Sequence, residues 1–279
     1  MTVSNTNPAK TVTDRCLYDV DIERRFGGIS RLYGRQALQQ FTQARICIIG
    51  IGGVGSWVVE AFARSGIGAM ALIDMDHVSE SNVNRQLHAM SSTLGMAKIK
   101  AMAARIEDIN PHCSLELVDD FVTAENTREL LAEGYDYVID CADNFRVKAA
   151  IIACCKRNKV RAITIGGAGG RIDPGAIKVT DLARSEHDPL LSQVRKRLRR
   201  HHGFSRNLSR RFDVPCVFSN EQARYSIGDG SISPDKSKID RGVGLNCGGA
   251  LGSATHVTAA FGFAAVAHVL NRLSAGAES

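Results

Sequence analysis

The sequence predicts an α/β protein built on a doubly wound, mostly parallel sheet. Short apolar runs typical of buried strands alternate with segments whose apolar residues recur at helical spacing. A glycine-rich turn joins the first strand to the first helix, and 44% of the 279 residues are hydrophobic, enough to bury a full core. Because parallel neighbours require a crossover helix, this alternation places helices on both faces of the sheet.

The predicted elements follow one another along the chain in a regular order. Strands are predicted at 45–50, 69–74, 114–118, 135–140 and 160–165. The helices between them are predicted at 54–65, 96–109, 124–132 and 144–158, and Thr123 is the predicted cap of the third. Beyond Gly166 the sequence indicates shorter strands at 176–179 and 214–219, a basic helix at 190–200 and a glycine-rich loop at 241–252. We see no linker or repeat, so we predict one domain over 1–279 with an elaborated C-terminal half.

Charge is unevenly divided along the chain, although the formal net charge is only +6. Residues 184–211 contain nine basic and two acidic side chains, so this segment carries +7 and the remainder carries −1. Such a localised basic segment is either a solvated surface helix or a contact surface for a polyanion.

The cysteines and the N-terminal segment indicate the cellular compartment. Eight cysteines are scattered without any Cys-x-x-Cys pair, so we expect neither disulfides nor zinc. Residues 1–21 are polar and lack a leader pattern, which predicts a disordered start and a cytoplasmic protein.

The uncharged stretch at 250–270 has the length of a membrane span. Its histidine and threonine residues favour a buried helix, so membrane association is the less favoured alternative.

The turn after the first strand predicts a nucleotide site. Its glycines let backbone amides approach a polyphosphate at the start of a helix; they are Gly50, Gly52, Gly53 and Gly55. Asp74 ends the second strand about 20 residues on, where an acidic side chain meets a ribose hydroxyl, and Asp76 follows it. This Rossmann-like pattern alone suits a NAD-dependent oxidoreductase as well as an ATP enzyme.

A second set of residues favours ATP. Asn84 and Arg85 follow the second strand, Lys98 lies near the start of the next helix, and Asp143 follows the fourth strand. Attack of a carboxylate on ATP builds negative charge on the α-phosphate and on the leaving pyrophosphate, so it requires fixed cations and a metal. Arg85 and Lys98 can supply the cations, and Asp143 can hold Mg²⁺.

In this order the motifs DMD, NVNRQ, Lys98 and DCADN resemble the ubiquitin-activating superfamily over residues 29–166. Within it, the resemblance is to the bacterial activating enzymes of thiamine and molybdopterin synthesis. It implies a fold of the ubiquitin-activating-enzyme type, with ATP and Mg²⁺ as cofactors. It also implies a homodimer in which an N-terminal arginine reaches the partner's nucleotide, and Arg31 matches that arginine better than Arg25. The implied ATP contacts come from Gly52, Asp74, Asn84, Arg85, Lys98 and Asp143.

Further motifs resemble one branch of this superfamily, the tRNA threonylcarbamoyladenosine dehydratases. They are RRFGGISRLYG at 24–34, GVGSW at 53–57, GGAGGRIDP at 166–174, DVPCVFS at 213–219 and the segment 255–268. The resemblance implies ATP-dependent dehydration of threonylcarbamoyladenosine beside the tRNA anticodon, by cyclisation through an adenylated carboxylate. One alternative is an adenylyltransferase that activates the C-terminus of a small ubiquitin-like sulfur carrier, which the missing Cys-x-x-Cys pairs weaken. The second alternative is the NAD-dependent oxidoreductase.

On this interpretation residues 45–166 form the nucleotide-binding core, and 167–274 carry the elements for substrate, tRNA and dimer contacts. The predicted tRNA contacts are the cations of the basic helix, Arg195, Lys196, Arg197, Arg199 and Arg200. Cys247 lies in the glycine-rich loop, where it is either a nucleophile or part of a tight turn. A cysteine desulfurase or sulfur-acceptor system is a further partner that the family implies.

Overall fold

The computed structural model describes residues 21–132, 134–227, 230–238 and 251–275. Within these residues seven strands form one sheet: β1 Arg45–Ile49, β2 Ala69–Ile73, β3 Ser114–Val118, β4 Tyr137–Asp140, β5 Arg161–Ile165, β6 Ile177–Asp181 and β7 Pro215–Ser219. Their order across the sheet is β3-β2-β1-β4-β5-β7-β6, in which β6 pairs antiparallel with β7 and the other pairs are parallel. This arrangement confirms the predicted fold class. A small hairpin contains β8 Tyr225–Ser226 and β9 Ile232–Ser233.

Helices cover both faces of the sheet because successive side chains of the buried strands point to opposite sides. The helices are α1 Ile22–Tyr33, α2 Arg35–Gln43, α3 Gly55–Arg64, α4 Lys98–Ile109, α5 Thr127–Leu130, α6 Phe145–Asn158, α7 Pro189–His201 and α8 Thr255–Ser274. In β1, Ile46 and Ile48 pack with α2, α3, α4 and α8, whereas Cys47 and Ile49 pack with α6. α7 packs beside α6 on that second face.

Two predicted elements differ from the structure. The helix predicted at 124–132 is limited to α5, because Thr123 and Asn126 exchange side-chain hydrogen bonds with each other's backbone amides at 3.2 and 2.7 Å and close a turn first. The apolar helix predicted from 250 begins at Thr255. The Asn84 side-chain amide donates to the Ser253 carbonyl at 2.8 Å, and this contact replaces a helical hydrogen bond just before the helix. α1 and α2 were not predicted from the sequence. Residues 1–20 and 239–250, which include most of the segments predicted as disordered start and glycine-rich loop, lie outside the described residues.

α8 is long and apolar enough to cross a membrane by length and composition, yet 56% of its most apolar window is buried in the protein. Phe261 and Val269 are fully buried in the main core. At Gly262 an added Cβ would lie 3.1 Å from the Val54 carbonyl oxygen and 3.2 Å from the Cβ of Trp57, so α8 packs closely on the start of α3. This packing is that of a core helix, as the sequence analysis favoured.

A buried ion pair joins β4, α6 and β5. The Lys148 ammonium lies 3.0 Å from the Asp140 carboxylate, and their side chains are 0% and 1% exposed. Thr164 donates its hydroxyl to the same carboxylate at 2.6 Å, and the other carboxylate oxygen accepts from the Ala142 amide at 3.2 Å. Asp143 follows Ala142 in the sequence, so this network fixes the backbone that leads to Asp143, a predicted site residue.

Replacing Lys148 by methionine leaves the Asp140 carboxylate buried without its counter-charge. We expect Lys148→Met to lower the free energy of unfolding by ~3–5 kcal/mol, and the double variant Lys148→Met/Asp140→Asn to recover part of this loss. Chemical denaturation measures both values. The matched control is Lys156→Met on the same helix, whose side chain is 47% exposed and for which we expect less than about 1 kcal/mol. Equal losses in the two single variants would contradict the account.

Candidate functional site

The glycine turn between β1 and α3 closes so tightly that two of its positions exclude a side chain. A Cβ at Gly55 would lie 1.8 Å from the Gly50 carbonyl oxygen, and Gly50 itself has a φ of +86° with the Cys141 backbone 3.1 Å from its Cβ position. The N-cap residue of α3 is Val54, whose side chain carries no hydrogen-bonding atom. The start of α3 therefore offers its partial positive charge to an anion lying over the turn.

Asp74 ties this turn to the end of β2. One of its carboxylate oxygens accepts from the Ile51 amide at 2.6 Å, and the other accepts from the Asp76 amide at 2.8 Å. Burial raises the pKa of Asp74, while Lys98 and these two amides oppose the rise. A carboxylate has about four lone-pair sites, so two remain for the hydroxyls of a ribose.

The structure brings Asp76 and Lys98 together beside Asp74. The Lys98 ammonium lies 2.7 Å from the Asp76 carboxylate, and the Lys98 side chain is only 6% exposed whereas that of Asp76 is 57% exposed. The Lys98 amide also donates to the Asp76 carbonyl at 3.0 Å. Because Lys98 is the first residue of α4, the two contacts fix this cation next to the turn.

Arg85 lies over the glycine turn from the other side. Its Cγ would lie 3.2 Å from a Cβ at Gly53. Its guanidinium donates to the Ser81 carbonyl at 2.7 Å and to the Asn84 side-chain oxygen at 3.0 Å, and Trp57 donates to its carbonyl at 3.1 Å. These contacts orient Arg85 while leaving it half-exposed.

Asn84 serves mainly to join this segment to the start of α8. Its side-chain amide donates to the Ser253 carbonyl at 2.8 Å, and its own carbonyl accepts from the Thr255 hydroxyl at 2.7 Å. The Asn84 side-chain oxygen faces Arg85, as described above. Asn84 therefore fixes the position of Arg85 relative to the start of α8. Its nucleotide contact stays a prediction.

Asp143 is an exposed carboxylate just beyond β4. Asn144 caps α6, accepting from the amides of Arg146 and Val147 at 2.8 and 3.4 Å, so the capping role is filled by its neighbour. No group of three or more His, Cys, Asp or Glu side chains among the described residues could hold a metal. A single carboxylate nevertheless fits Mg²⁺, which is commonly held by one or two carboxylates together with substrate phosphates and water.

The two candidate N-terminal arginines have different environments. Arg25 donates to the carbonyls of Asp108 and Ile109 at 3.1 and 2.8 Å, at the C-terminal end of α4. A cation there satisfies carbonyls that the helix leaves unpaired, so Arg25 has a structural role. Arg31 is exposed in the last turn of α1.

The five cations predicted on the basic helix are not equivalent. Lys196 and Arg200 are exposed, whereas Arg195, Arg197 and Arg199 are partly buried. Arg195 donates to the Ser185 hydroxyl, and Arg199 donates to the Ser205 carbonyl at 3.2 Å with its guanidinium 5.0 Å from the Phe212 ring. Lys196 and Arg200 are thus the best placed to contact a polyanion. Cys247 lies outside the described residues.

Sequence reasoning missed Asp188 as well as the Asp140–Lys148 pair. Asp188 caps α7 through the Leu191 amide at 2.9 Å and also accepts from the Gly167 amide at 2.9 Å, so it fixes α7 to the loop after β5. Burial raises its pKa, and these two amides oppose the rise. The Asp-Pro pair at 188–189 was a usable signal, because Asp at the N-cap followed by Pro at N1 marks a helix start.

Comparison with known proteins places this chain in a family. Residues 27–274 match the ThiF family. The chain is 50% identical over 254 residues to the tRNA threonylcarbamoyladenosine dehydratase of Escherichia coli K12, covering 91% of this chain and 95% of the relative. The E. coli tRNA N6-threonylcarbamoyladenosine dehydratase, TcdA, has been solved in complex with ATP and in complex with AMP. Each complex has a TM-score of 0.81 at 48% identity and covers 92% of this chain and 96% of that chain. The chain belongs to the ThiF family.

Proposed function

We propose that this protein is an ATP-dependent dehydratase that cyclises threonylcarbamoyladenosine in tRNA, beside the anticodon, through an adenylated carboxylate. The observation that carries the proposal is the 50% identity to the E. coli dehydratase over 95% of that enzyme. The structure supports it with Asp74, Arg85 and Lys98 around one glycine turn. Because the matched length is nearly complete, both the nucleotide-binding half and the elaborated half are shared with the relative.

The proposed nucleotide position follows from the geometry of the turn. The phosphates would lie at the start of α3, and the ribose would lie at the Asp74 carboxylate at the end of β2. The ATP and AMP complexes of the E. coli enzyme support nucleotide binding by this chain, since the relative holds both nucleotides. AMP is the nucleotide product expected when a carboxylate is adenylated and then displaced.

The charges around the turn suit attack at the α-phosphate. Arg85 and Lys98 would stabilise the negative charge that develops on the α-phosphate and on the leaving pyrophosphate. Asp143 would hold Mg²⁺, which supplies Lewis-acid stabilisation of phosphate oxygens when bound. Lys98 is held rigidly by Asp76, so little reorganisation is needed when the charge develops.

The proposed chemistry has two steps. In the first, the threonine carboxylate of the nucleoside attacks the α-phosphorus of ATP, and pyrophosphate leaves. In the second, the neighbouring carbamoyl nitrogen attacks the activated carboxyl carbon, loses its proton and expels AMP, which closes a five-membered ring. The net change in the nucleoside is the loss of one water. Ring closure within one molecule has a large proximity advantage, so the step needs no thioester, and transfer through Cys247 is the rival route.

The two alternatives from the sequence are less well supported. A sulfur-carrier adenylyltransferase would share the residues that bind ATP. However, the relative that is 50% identical over 95% of its own length is a tRNA-modifying enzyme. A NAD-dependent oxidoreductase has no use for the cations Arg85 and Lys98. The homodimer with Arg31 in the partner's site, a cysteine desulfurase or sulfur-acceptor partner, and a cytoplasmic location belong to the proposal as family expectations.

Loss of either charged group near the phosphates should abolish dehydration. We expect Arg85→Ala and Asp143→Ala to lower the rate by about 100-fold or more, because each removes stabilisation of the transition-state charge. The measurement is nucleoside mass spectrometry of tRNA after incubation with ATP and Mg²⁺, which detects the loss of water. Arg128→Ala, an exposed arginine of α5, and Cys247→Ser should remain active. Wild-type rates in Arg85→Ala would contradict the proposed role, and an inactive Cys247→Ser would favour the thioester route.

The exposed cations of α7 should contribute to tRNA affinity. We expect Lys196→Ala/Arg200→Ala to bind tRNA more weakly and to reduce the slope of log affinity against log salt by about 2, close to one unit per lost phosphate contact. Fluorescence anisotropy in a salt series measures this slope. Since both side chains are exposed, the melting temperature should not change. An unchanged slope would show that α7 is only a solvated surface helix.

A further inference from the structure

A cleft of about 870 Å³ lies at the edge of the sheet opposite the glycine turn. Tyr137, Arg161 and Pro215 line it, and these are the first residues of β4, β5 and β7. Those three strands run parallel to one another and to β1. Their first residues therefore mark the edge away from Gly50, which follows the last residue of β1. The C-terminal ends of α6 and α8 complete the cleft.

The lining is strongly basic. Five cations and two carboxylates line the cleft: Lys156, Arg161, Arg184, Arg211, Arg272, Asp181 and Asp213. Both carboxylates are already engaged, Asp213 with Lys156 at 3.5 Å and Asp181 with Arg211 at 3.8 Å. Asp181 also accepts from the amides of Phe212 and Val214.

Three arginines of the cleft carry uncompensated charge. Arg161, Arg184 and Arg272 are exposed and form no ion pair within the described ranges. They converge from three different elements, which are β5, the turn after β6 and the last turns of α8. These three arginines are far apart in the sequence, so the fold brings them together; the basic segment at 184–211 contributes Arg184 to them and Arg211 to the rest of the cleft.

Neutral hydrogen-bonding groups lie among these cations. Burial raises the pKa of Tyr137 to about 12, although Arg272 and Arg161 both lower it, so the phenol remains a neutral donor in the cleft. Burial and Arg272 lower the pKa of His268, which keeps its ring neutral. The cleft therefore combines neutral hydrogen-bonding side chains with three arginines that form no ion pair among the described residues, a lining that suits a polar anionic ligand.

α7 connects this cleft with the opposite edge. Its N-cap Asp188 is bonded to Gly167, just beyond the end of β5. Near its C-terminal end Arg199 stacks on Phe212, whose amide donates to Asp181 in the cleft. The helix of 13 residues is therefore about 20 Å long and spans the sheet from edge to edge. Lys196 and Arg200, the exposed cations of α7, lie in its C-terminal half, which is the half nearer the cleft.

We propose that this basic cleft binds the phosphate backbone of the tRNA stem while the modified nucleoside lies at the opposite edge of the sheet. The inference rests on the proposed function and extends it to a second contact surface. Phosphates recur about every 3.4 Å along each strand of a duplex, so three arginines from three elements, with Lys196 and Arg200 on the neighbouring α7, match the phosphates of a stem better than they match one small anion. Arginine suits this ligand because its planar fork binds phosphate oxygens in pairs.

The test compares two triple variants of the full chain. The cleft variant is Arg161→Ala/Arg184→Ala/Arg272→Ala. The matched control, Lys100→Ala/Arg128→Ala/Lys238→Ala, removes the same charge from exposed residues outside the cleft. Fluorescence anisotropy in a salt series measures binding of whole tRNA and of an oligonucleotide of the anticodon loop alone, and ATP binding is measured separately.

We expect the cleft variant to bind whole tRNA about tenfold or more weakly than the control and to lose about 3 units of salt slope. Binding of the loop oligonucleotide and of ATP should match the control. Equal tRNA binding by the two variants would overturn the cleft proposal and leave the dehydratase proposal intact. An equal loss for the loop oligonucleotide would also overturn it, because the effect would not depend on the stem. Failure of the wild-type protein to bind tRNA would overturn both proposals.

Discussion

The backbone contact between Gly50 and Gly55 is the constraint on which the site depends. An added Cβ at Gly55 would lie 1.8 Å from the Gly50 carbonyl oxygen, so the chain can enter α3 in this way only with glycine there. The contact sets the direction of α3 and brings its first amides to the end of the sheet. The bond from Ile51 to Asp74 at 2.6 Å then fixes the turn relative to β2. Arg85 and Lys98 contribute charge because they are anchored around this fixed turn.

The two edges of the sheet carry different chemistry. At the C-terminal ends of the strands, charged groups are paired or oriented by backbone contacts, as with Lys98 on Asp76 and Arg85 on Ser81. Such preorganisation suits stabilisation of a transition state. At the opposite edge, Arg161 and Arg272 are exposed, which suits reversible contact with a hydrated backbone. The buried Asp140–Lys148 pair lies at the C-terminal end of β4, beside the candidate site, and ties β4 to α6.

Local pattern was sufficient to predict the seven strands of the main sheet, because a buried parallel strand shows as a short apolar run regardless of its neighbours. β3 was predicted at its observed bounds although it is a partly exposed edge strand. Asp76 and Lys98 were both predicted at the nucleotide site, and the structure joins them in an ion pair. α1 and α2 were not recognised, and the roles of Arg25 and Lys148 could not be predicted, because their partners Ile109 and Asp140 are brought near only by the tertiary fold. The basic cleft was hidden for the same reason, since its arginines are far apart in the sequence.

The account requires that the carboxylate of the nucleoside attacks the α-phosphorus of ATP. The most direct test uses tRNA whose threonylcarbamoyl carboxylate carries a heavy oxygen isotope, followed by mass spectrometry of the nucleotide products. Ring closure breaks the bond between the acyl carbon and the bridging oxygen, so the account predicts that one labelled oxygen remains in the phosphate of AMP. Label in inorganic phosphate, with ADP as the other product, would show attack at the γ-phosphorus and contradict the account.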